Sequence, residues 1–280
     1  MQTMQSRSSL PDINRIGVLT AAVQLAFALT RLLPASQVIL RLTLGNFFLA
    51  YPISLTTVMT LLAAGVTATG MDWLLRSHPA LGSRRTVEHW LLPTLTTFVI
   101  GVPLSLLPGG VSWWVTFAIA GLALVTVFIA EYVAVDPTAP AHSAATGLLT
   151  ALSFAVYLIL LTTMRSSSPR LVIVFPAVFI VSGLVSLRAL HLRLHGRWEF
   201  TWAGGIALIS AQLASALHYW PLSPIQFGLA LLGPLYALTS LAGNLGEDAP
   251  ARRATIEPLA ALTLAWAADR FRWIPLDPQV

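Results

Sequence analysis

The chain has 280 residues, of which 56% are hydrophobic and only 10% are charged, with a net charge of +5 at pH 7. Soluble domains carry about 25% charged residues, so this composition excludes an ordinary soluble domain and favours a protein surrounded by lipid. The absence of cysteine excludes disulfides, cysteine metal sites and thiol nucleophiles. All basic residues are arginine, and in a membrane protein they indicate topology rather than contacts with nucleic acid.

The N-terminal part of the chain begins with an apolar segment at 16–33, which we interpret as an uncleaved first span. The run from Leu42 to Met71 has no charge and is too long for one simple span. Pro52 is a natural break, because proline lacks a donor N–H. The sequence therefore predicts an interfacial or re-entrant piece at about 36–50, followed by a span at about 53–75.

The remaining apolar runs are divided by turns and polar loops. A Pro-Gly-Gly turn at Pro108 splits the uncharged run from Trp90 to Ala130. Because a spanning helix needs about 20 mostly apolar residues, the sequence predicts an all-α polytopic transmembrane bundle. We expect one membrane domain over residues 1–280, with eight spans at about 16–33, 53–75, 90–107, 111–133, 143–164, 169–189, 201–219 and 224–244.

A terminal helix at about 255–270 has an apolar stretch that is marginal for a span. The sequence is compatible with two arrangements of this helix: a short ninth span, or a helix that lies in the membrane interface.

The distribution of arginine predicts the orientation. With a cytoplasmic N-terminus, the inside segments contain Arg7, Arg15, Arg76, Arg84, Arg85, Arg188, Arg193, Arg197, Arg252 and Arg253. The outside segments contain Arg31, Arg41, Arg165 and Arg170. This bias favours the N-terminus inside. An Ala/Leu-rich chain whose only basic side chain is arginine is typical of a GC-rich bacterial genome, so we expect a bacterial cytoplasmic (inner) membrane.

The predicted inner face collects the candidate ligand-binding residues, which are Asp72, Glu131, Asp136 and His142. Five residues apart on a helix, Glu131 and Asp136 point about 140° away from each other, so they do not form a converging acid–base pair. We expect Glu131 to mark the membrane boundary, facing solvent, lipid headgroups or a loop arginine. We expect Asp136 to end its helix before Pro137 and Asp72 to pair with Arg76 one turn on. No catalytic residue is predicted.

A metal or cofactor site has little support. His191 and His195 have the i,i+4 spacing that suits a metal, but Arg188 and Arg193 are interleaved and would repel a cation. Nucleotide-binding, hydrolase and metalloprotease motifs are absent from the sequence. The sequence therefore predicts neither a metal nor a cofactor.

One span carries a pattern typical of helix packing. Small residues recur every fourth position at Ala203, Ala207, Ala211 and Ser215, which would let another helix approach closely. Gln212 lies one residue off this stripe, and we expect its amide to bind across a helix interface, because an unsatisfied amide in hydrocarbon is costly.

Three functions are compatible with these patterns. The first is a non-enzymatic accessory or scaffold subunit, or a binder of a lipid or other hydrophobic molecule. The second is a small-molecule or lipid transporter or flippase, and the third is a membrane-embedded lipid-modifying enzyme. The expected partners are membrane lipids, with other membrane protein subunits as a further option and nucleic acid excluded. A lipid-wide cavity reaching mid-membrane would favour the second function; a pocket lined by Asp72, Glu131 and histidines would favour the third.

Overall fold

The computed structural model of the chain describes residues 11–32, 37–44, 47–82, 86–167, 169–194 and 196–270. His195, Arg7, Arg84 and Arg85, which entered the sequence predictions, lie outside these residues. The described residues form α1 (Ile13–Leu29), β1 (Gln37–Leu44), β2 (Phe47–Ser54), α2 (Leu55–Leu75), a short 3-10 helix (Val87–His89), α3 (Leu91–Leu106), α4 (Val111–Ala134), α5 (His142–Ser166), α6 (Leu171–Arg193), α7 (Phe200–His218), α8 (Pro224–Gly246) and α9 (Ala251–Arg270).

The predicted class, an all-α transmembrane bundle, is confirmed. Each of the eight predicted spans is a helix, and the terminal helix is present as well. Seven helical segments of the described residues are long and apolar enough to cross a membrane, so the chain is a helical membrane protein. They are α2, the 3-10 helix together with α3 (Val87–Leu106), and α4 to α8. The remaining predicted span, α1, has 17 residues, which is the lower limit for crossing the hydrocarbon layer.

The segment between α1 and α2 contains the piece at about 36–50 that was expected to be interfacial or re-entrant, and its place relative to the membrane stays a prediction. It forms an antiparallel hairpin, in which Pro52 lies within β2 opposite Ile39. The chain turns into α2 only at Ser54, whose hydroxyl accepts a hydrogen bond from the Thr57 N–H at 3.1 Å. Ser54 therefore caps the helix, and the predicted break at Pro52 is two residues too early.

The chain forms two compact units that divide within α5, between Leu149 and Thr150. The prediction of a single membrane domain stays a prediction. In the first unit α1 packs against α2, where Leu19 fills the space beside Gly70. It also packs against α4, where the Gln24 side chain donates to the Phe117 carbonyl at 2.8 Å. The short helix α1 is thus an integral part of this unit.

Close helix contacts also define the second unit, which contains α6 to α9 and most of α5. A Cβ on Gly183 of α6 would lie 3.4 Å from the Ala207 methyl of α7, and a Cβ on Gly233 of α8 only 2.7 Å from the Ala265 methyl of α9. Asn244, near the end of α8, contacts the first turn of α9. Residue numbers rise along α9 as they fall along α8, so the two helices are antiparallel neighbours.

The two arrangements of α9 that the sequence left open both stay predictions. α9 runs beside α8 from Asn244 back to Gly233, so the two helices share a direction. Its apolar part, Ala254–Ala267, is shorter than the seven helical segments that are long enough to cross a membrane.

Candidate functional site

The first candidate site is a cluster in the first unit, in which His89 and Glu131 are buried and Glu88 is half-buried. The 3-10 helix carries Glu88 and His89 over the last turns of α4, where Glu131 lies. Glu131 Oε2 is 2.7 Å from His89 Nδ1, and Glu88 Oε1 is 3.5 Å from His89 Nε2. The imidazole therefore lies between two carboxylates.

The burial of Glu131 corrects a sequence prediction. We expected this side chain to face solvent, lipid headgroups or a loop arginine, but its exposed fraction is 0%. The reason is that His89, 42 positions away in the sequence, packs over the end of α4 and supplies a hydrogen bond there. A buried carboxylate needs such a partner, because burying an unpaired charge is costly.

Asp72 positions the segment that leads into this cluster. Its carboxylate accepts from Arg76 Nε at 2.6 Å, which confirms the expected i,i+4 pair, and from the Thr86 hydroxyl. Thr86 immediately precedes the 3-10 helix, so the carboxylate ties the start of that helix to the end of α2. Asp72 thus supports the placement of His89.

Asp136 ends α4, as the sequence predicted. The helix stops at Ala134, and the Asp136 carboxylate accepts from both the backbone N–H and the hydroxyl of Thr138, at 2.9 and 2.7 Å. These hydrogen bonds hold the pKa of Asp136 below its ordinary value. His142 begins α5, where its carbonyl accepts from the Thr146 hydroxyl. Asp72, Glu131 and Asp136 each bind a different partner, and their role in ligand binding stays a prediction.

His78 is a buried residue that the sequence predictions did not single out. Its ring lies 4.4 Å from the Tyr132 ring, and its Nδ1 accepts a hydrogen bond from the Ala80 N–H at 3.1 Å. Because Nδ1 is an acceptor, this contact requires the neutral imidazole. Burial lowers the pKa of His78, the nearby His89 lowers it further, and Asp136 opposes the shift.

The small-residue stripe of α7 is mostly buried, with Ala203, Ala207 and Ala211 inside the unit and Ser215 half-buried. The Gln212 side chain is exposed on α7, outside the contacts between the described helices, and its expected hydrogen bond across a helix interface stays a prediction. One residue along a helix is a rotation of about 100°, which turns Gln212 away from the buried face of Ala211. The role of the stripe in helix packing stays a prediction.

The predicted absence of a metal site is untested by the structure, since His195 lies outside the described residues. Its neighbour His191 is buried, with its ring 4.3 Å from that of Trp198. Among the residues that the structure describes, no group of three or more histidine or acidic side chains has a geometry suited to a metal.

The second candidate site is an apolar groove of about 360 Å³ in the second unit, which we call the α7–α9 groove. It is lined by Ile209 and Leu213 of α7, by Pro234, Ala237, Leu238 and Leu241 of α8, and by Thr255, Pro258, Leu259, Leu262 and Trp266 of α9. The lining residues of α8 occupy the middle of that helix. No local pattern in the sequence indicates this groove, because its three walls come from separate helices.

The chemistry of the α7–α9 groove is that of a binding surface. Among its eleven lining side chains only Thr255 and Trp266 contain polar atoms. Such a lining can hold a hydrocarbon chain by van der Waals contact, but it does not offer the converging polar groups that catalysis needs.

One comparison with known proteins found a match. A profile of the family described as Protein of unknown function (DUF5656) matches residues 35–271, the part of the chain from the hairpin to the end of α9. No curated protein and no solved structure matches the chain.

Proposed function

The chain belongs to the DUF5656 family, and we propose that it is a non-enzymatic membrane protein that binds one acyl chain of a membrane lipid in the α7–α9 groove. The observation that carries this proposal is the groove itself, with its apolar lining from three helices at mid-height of α8. At that height a spanning helix is surrounded by lipid tails, which are the apolar molecules available to it.

The size of the groove favours an acyl chain over a helix of another protein. The groove has about 360 Å³, spread along several turns of α8 and α9. It therefore accommodates a thin, flexible chain, with a volume in the lower part of the range of small-molecule pockets.

Packing rather than the hydrophobic effect would select the bound chain. A lipid tail in the bilayer is already in an apolar solvent, so moving it into the groove removes no apolar surface from water. Its gain is closer van der Waals contact with Leu238, Leu259 and Leu262. We expect exchange with bulk lipid in the membrane and retention in a mild detergent, which packs less closely.

Lipid flipping is the second candidate, and a pair of prolines favours it. Pro234 of α8 and Pro258 of α9 both line the groove. Proline removes a helical hydrogen bond and lets a helix bend, so both walls of the groove contain a point at which they can move. A moving groove at mid-membrane is what a flippase needs.

We further propose that the protein lies in a bacterial cytoplasmic membrane with its N-terminus in the cytoplasm. The arginine bias supports this orientation. Membrane lipids are the proposed partners. Other membrane protein subunits are a second class, which could bind the exposed side of α7 that carries Trp202, Leu208 and Ile209.

Lipid analysis of the purified protein tests the binding proposal. We expect the full chain, purified in mild detergent, to retain about one tightly bound lipid by native mass spectrometry, and Leu262→Trp to lose it by filling the groove. Leu264→Trp is the matched control, because Leu264 is 70% exposed on the same helix and does not line the groove. Equal lipid content in the two variants would contradict the proposal.

The flipping candidate has a separate readout. In liposomes that contain a fluorescent lipid, the wild-type protein should raise the rate at which this lipid leaves the inner leaflet, which external reagents do not reach. The double variant Pro234→Ala with Pro258→Ala should lower that rate while the protein still retains its bound lipid. Lipid binding without any movement between leaflets would leave only the binding function.

A further inference from the structure

The α7–α9 groove is about as long as one leaflet of a bilayer is deep. Its ends along α9 are Thr255 and Trp266, which lie about 17 Å apart along the helix axis. The hydrocarbon core of a bilayer is about 30 Å thick, so each leaflet contributes about 15 Å. An acyl chain that fills the groove therefore extends from a bilayer surface to the bilayer centre.

The contacts between α8 and α9 indicate which end of the groove is at the surface. A Cβ on Gly233, near the midpoint of α8, would lie 3.8 Å from the Trp266 ring. Near the end of α8, Asn244 donates to the carbonyl of Ala254, the residue before Thr255. In a spanning α8 the midpoint lies at the bilayer centre and the end lies at a bilayer surface. Thr255 is therefore at the surface end of the groove.

Arg252 lies one turn beyond this surface end, on the same side of α9. It precedes Leu259 by seven positions and Trp266 by fourteen, so its direction from the helix axis differs from theirs by only about 20° and 40°. Its side chain is exposed. Long side chains on a helix lean back toward the N-terminus, which here carries the guanidinium away from the hydrocarbon and toward the headgroup layer.

Two carboxylates near this end of the groove have other partners. Glu247 pairs with Arg193 at 2.9 Å. Glu257 accepts a hydrogen bond from the Tyr236 hydroxyl at 3.0 Å. The exposed guanidinium of Arg252 can therefore bind an anion supplied by the membrane.

We propose that the α7–α9 groove binds an anionic phospholipid, with one acyl chain along Leu238, Leu259 and Leu262 and the phosphate on Arg252. This inference rests on the proposed lipid-binding function, and it adds the headgroup class and the direction of the bound lipid. A guanidinium offers a fork of N–H donors that matches two phosphate oxygens, and such charge-assisted hydrogen bonds are stronger than those between neutral groups. The lipid belongs to the leaflet beside the 246–251 turn.

Competition between two lipids with identical acyl chains tests this inference. The full chain is delipidated in mild detergent and mixed with equal amounts of phosphatidylglycerol and phosphatidylcholine, and native mass spectrometry gives the ratio of the two bound lipids. We expect a severalfold preference for phosphatidylglycerol in the wild type, near-equal binding in Arg252→Gln, and a retained preference in Arg252→Lys, which keeps the charge.

Arg170→Gln is the matched control, because it removes the same charge from an exposed residue at the start of α6, whereas the end of α6 contacts the end of α8. This variant should keep the preference. Asp248→Asn removes an exposed carboxylate from the turn before α9, and it should not lower the preference either. Because Arg252 is exposed, Arg252→Gln should melt at the wild-type temperature.

Two results would overturn the headgroup inference while Leu262→Trp still lowers the total lipid bound. One is equal binding of the two lipids by the wild type. The other is an equal loss of preference in Arg252→Gln and Arg170→Gln, which would reflect only the net charge of the protein. A wild-type protein that binds neither lipid would overturn this inference and the lipid-binding function together.

Discussion

Asn244 donates its side-chain N–H to the backbone carbonyl of Ala254 at 3.1 Å, and it thereby joins α8 to α9. This carbonyl is available because the residue four positions later is Pro258, which has no N–H to complete the helical hydrogen bond. The Asn244 oxygen accepts from Arg193 of α6, and Arg193 also pairs with Glu247 at 2.9 Å. One amide therefore links three helices of the second unit.

Replacement of Asn244 by leucine should destabilise the protein by about 1–3 kcal/mol, because a buried carbonyl and part of a guanidinium lose their partner. Thermal unfolding in detergent should show a midpoint lower by several degrees. Gln212→Leu removes an equally polar but exposed amide, so it should change little. An equal drop in melting temperature for Asn244→Leu and Gln212→Leu would show that the hydrogen bonds of Asn244 do not stabilise the second unit.

Ala211→Leu should cost about 1–3 kcal/mol, because a branched side chain is forced into a fully buried contact on α7. Gln212→Leu, one position along the same helix, should be tolerated because Gln212 is exposed. Detergent melting curves compare the two directly. The reverse order of stability would remove Ala211 from a helix interface.

Glu131→Gln should lower stability by about 1–3 kcal/mol, since it replaces a carboxyl group that makes a buried hydrogen bond with His89. Asp136→Asn should produce no resolvable change, because asparagine retains an oxygen that accepts from Thr138. Folded yield and melting temperature distinguish these outcomes. Wild-type behaviour of Glu131→Gln would show that the hydrogen bond between Glu131 and His89 does not stabilise the fold.

Gly121→Ala should destabilise the first unit by about 1–3 kcal/mol, because the added Cβ would lie 2.3 Å from Gln24 Nε2. The amide of Gln24 would then be pushed off the Phe117 carbonyl. In a double-mutant cycle Gln24→Ala should make the Gly121→Ala change much less harmful. Additive effects of the two changes would mean that the contact does not shape this interface.

Stability should fall as the pH drops below about 6.5, the ordinary histidine pKa. The pKa of His78 is lowered by burial, so the unfolded chain binds its proton more readily than the folded one. The stabilising contribution is therefore complete above the unfolded pKa and is lost as pH falls through 6.5 and then through the folded pKa. Melting curves between pH 5 and 8 should be flatter for His78→Asn. An unchanged slope in this variant would assign the pH dependence to other groups.

The spans were predictable because uncharged runs and turn signals are local features of the sequence. The pairing of His89 with Glu131 was not, since a residue near a helix end is ordinarily at the surface and its partner is far along the chain. Gln24 and Gln212 look alike in the sequence. The structure shows that Gln24 is the amide that binds across helices, because its side chain occupies the space that a Cβ on Gly121 would fill.

The hairpin was missed for a different reason. Its two strands are so rich in apolar residues that they resemble part of a membrane span, and Pro52 suggested a helix break. The alternation of residue types along each strand indicates a sheet only once the strands are known to pair, because the register of the pairing decides which residues share a face.

The antiparallel course of α9 along α8 has a consequence for export. Whichever face of the membrane the 246–251 turn occupies, α9 directs the chain back toward the face that holds the 219–223 turn. If α9 crosses the membrane and the N-terminus is cytoplasmic, a protein fused after α9 would therefore be carried across the membrane. Alkaline phosphatase at that position would be enzymatically active, whereas a fluorescent protein that matures only in the cytoplasm would stay dark.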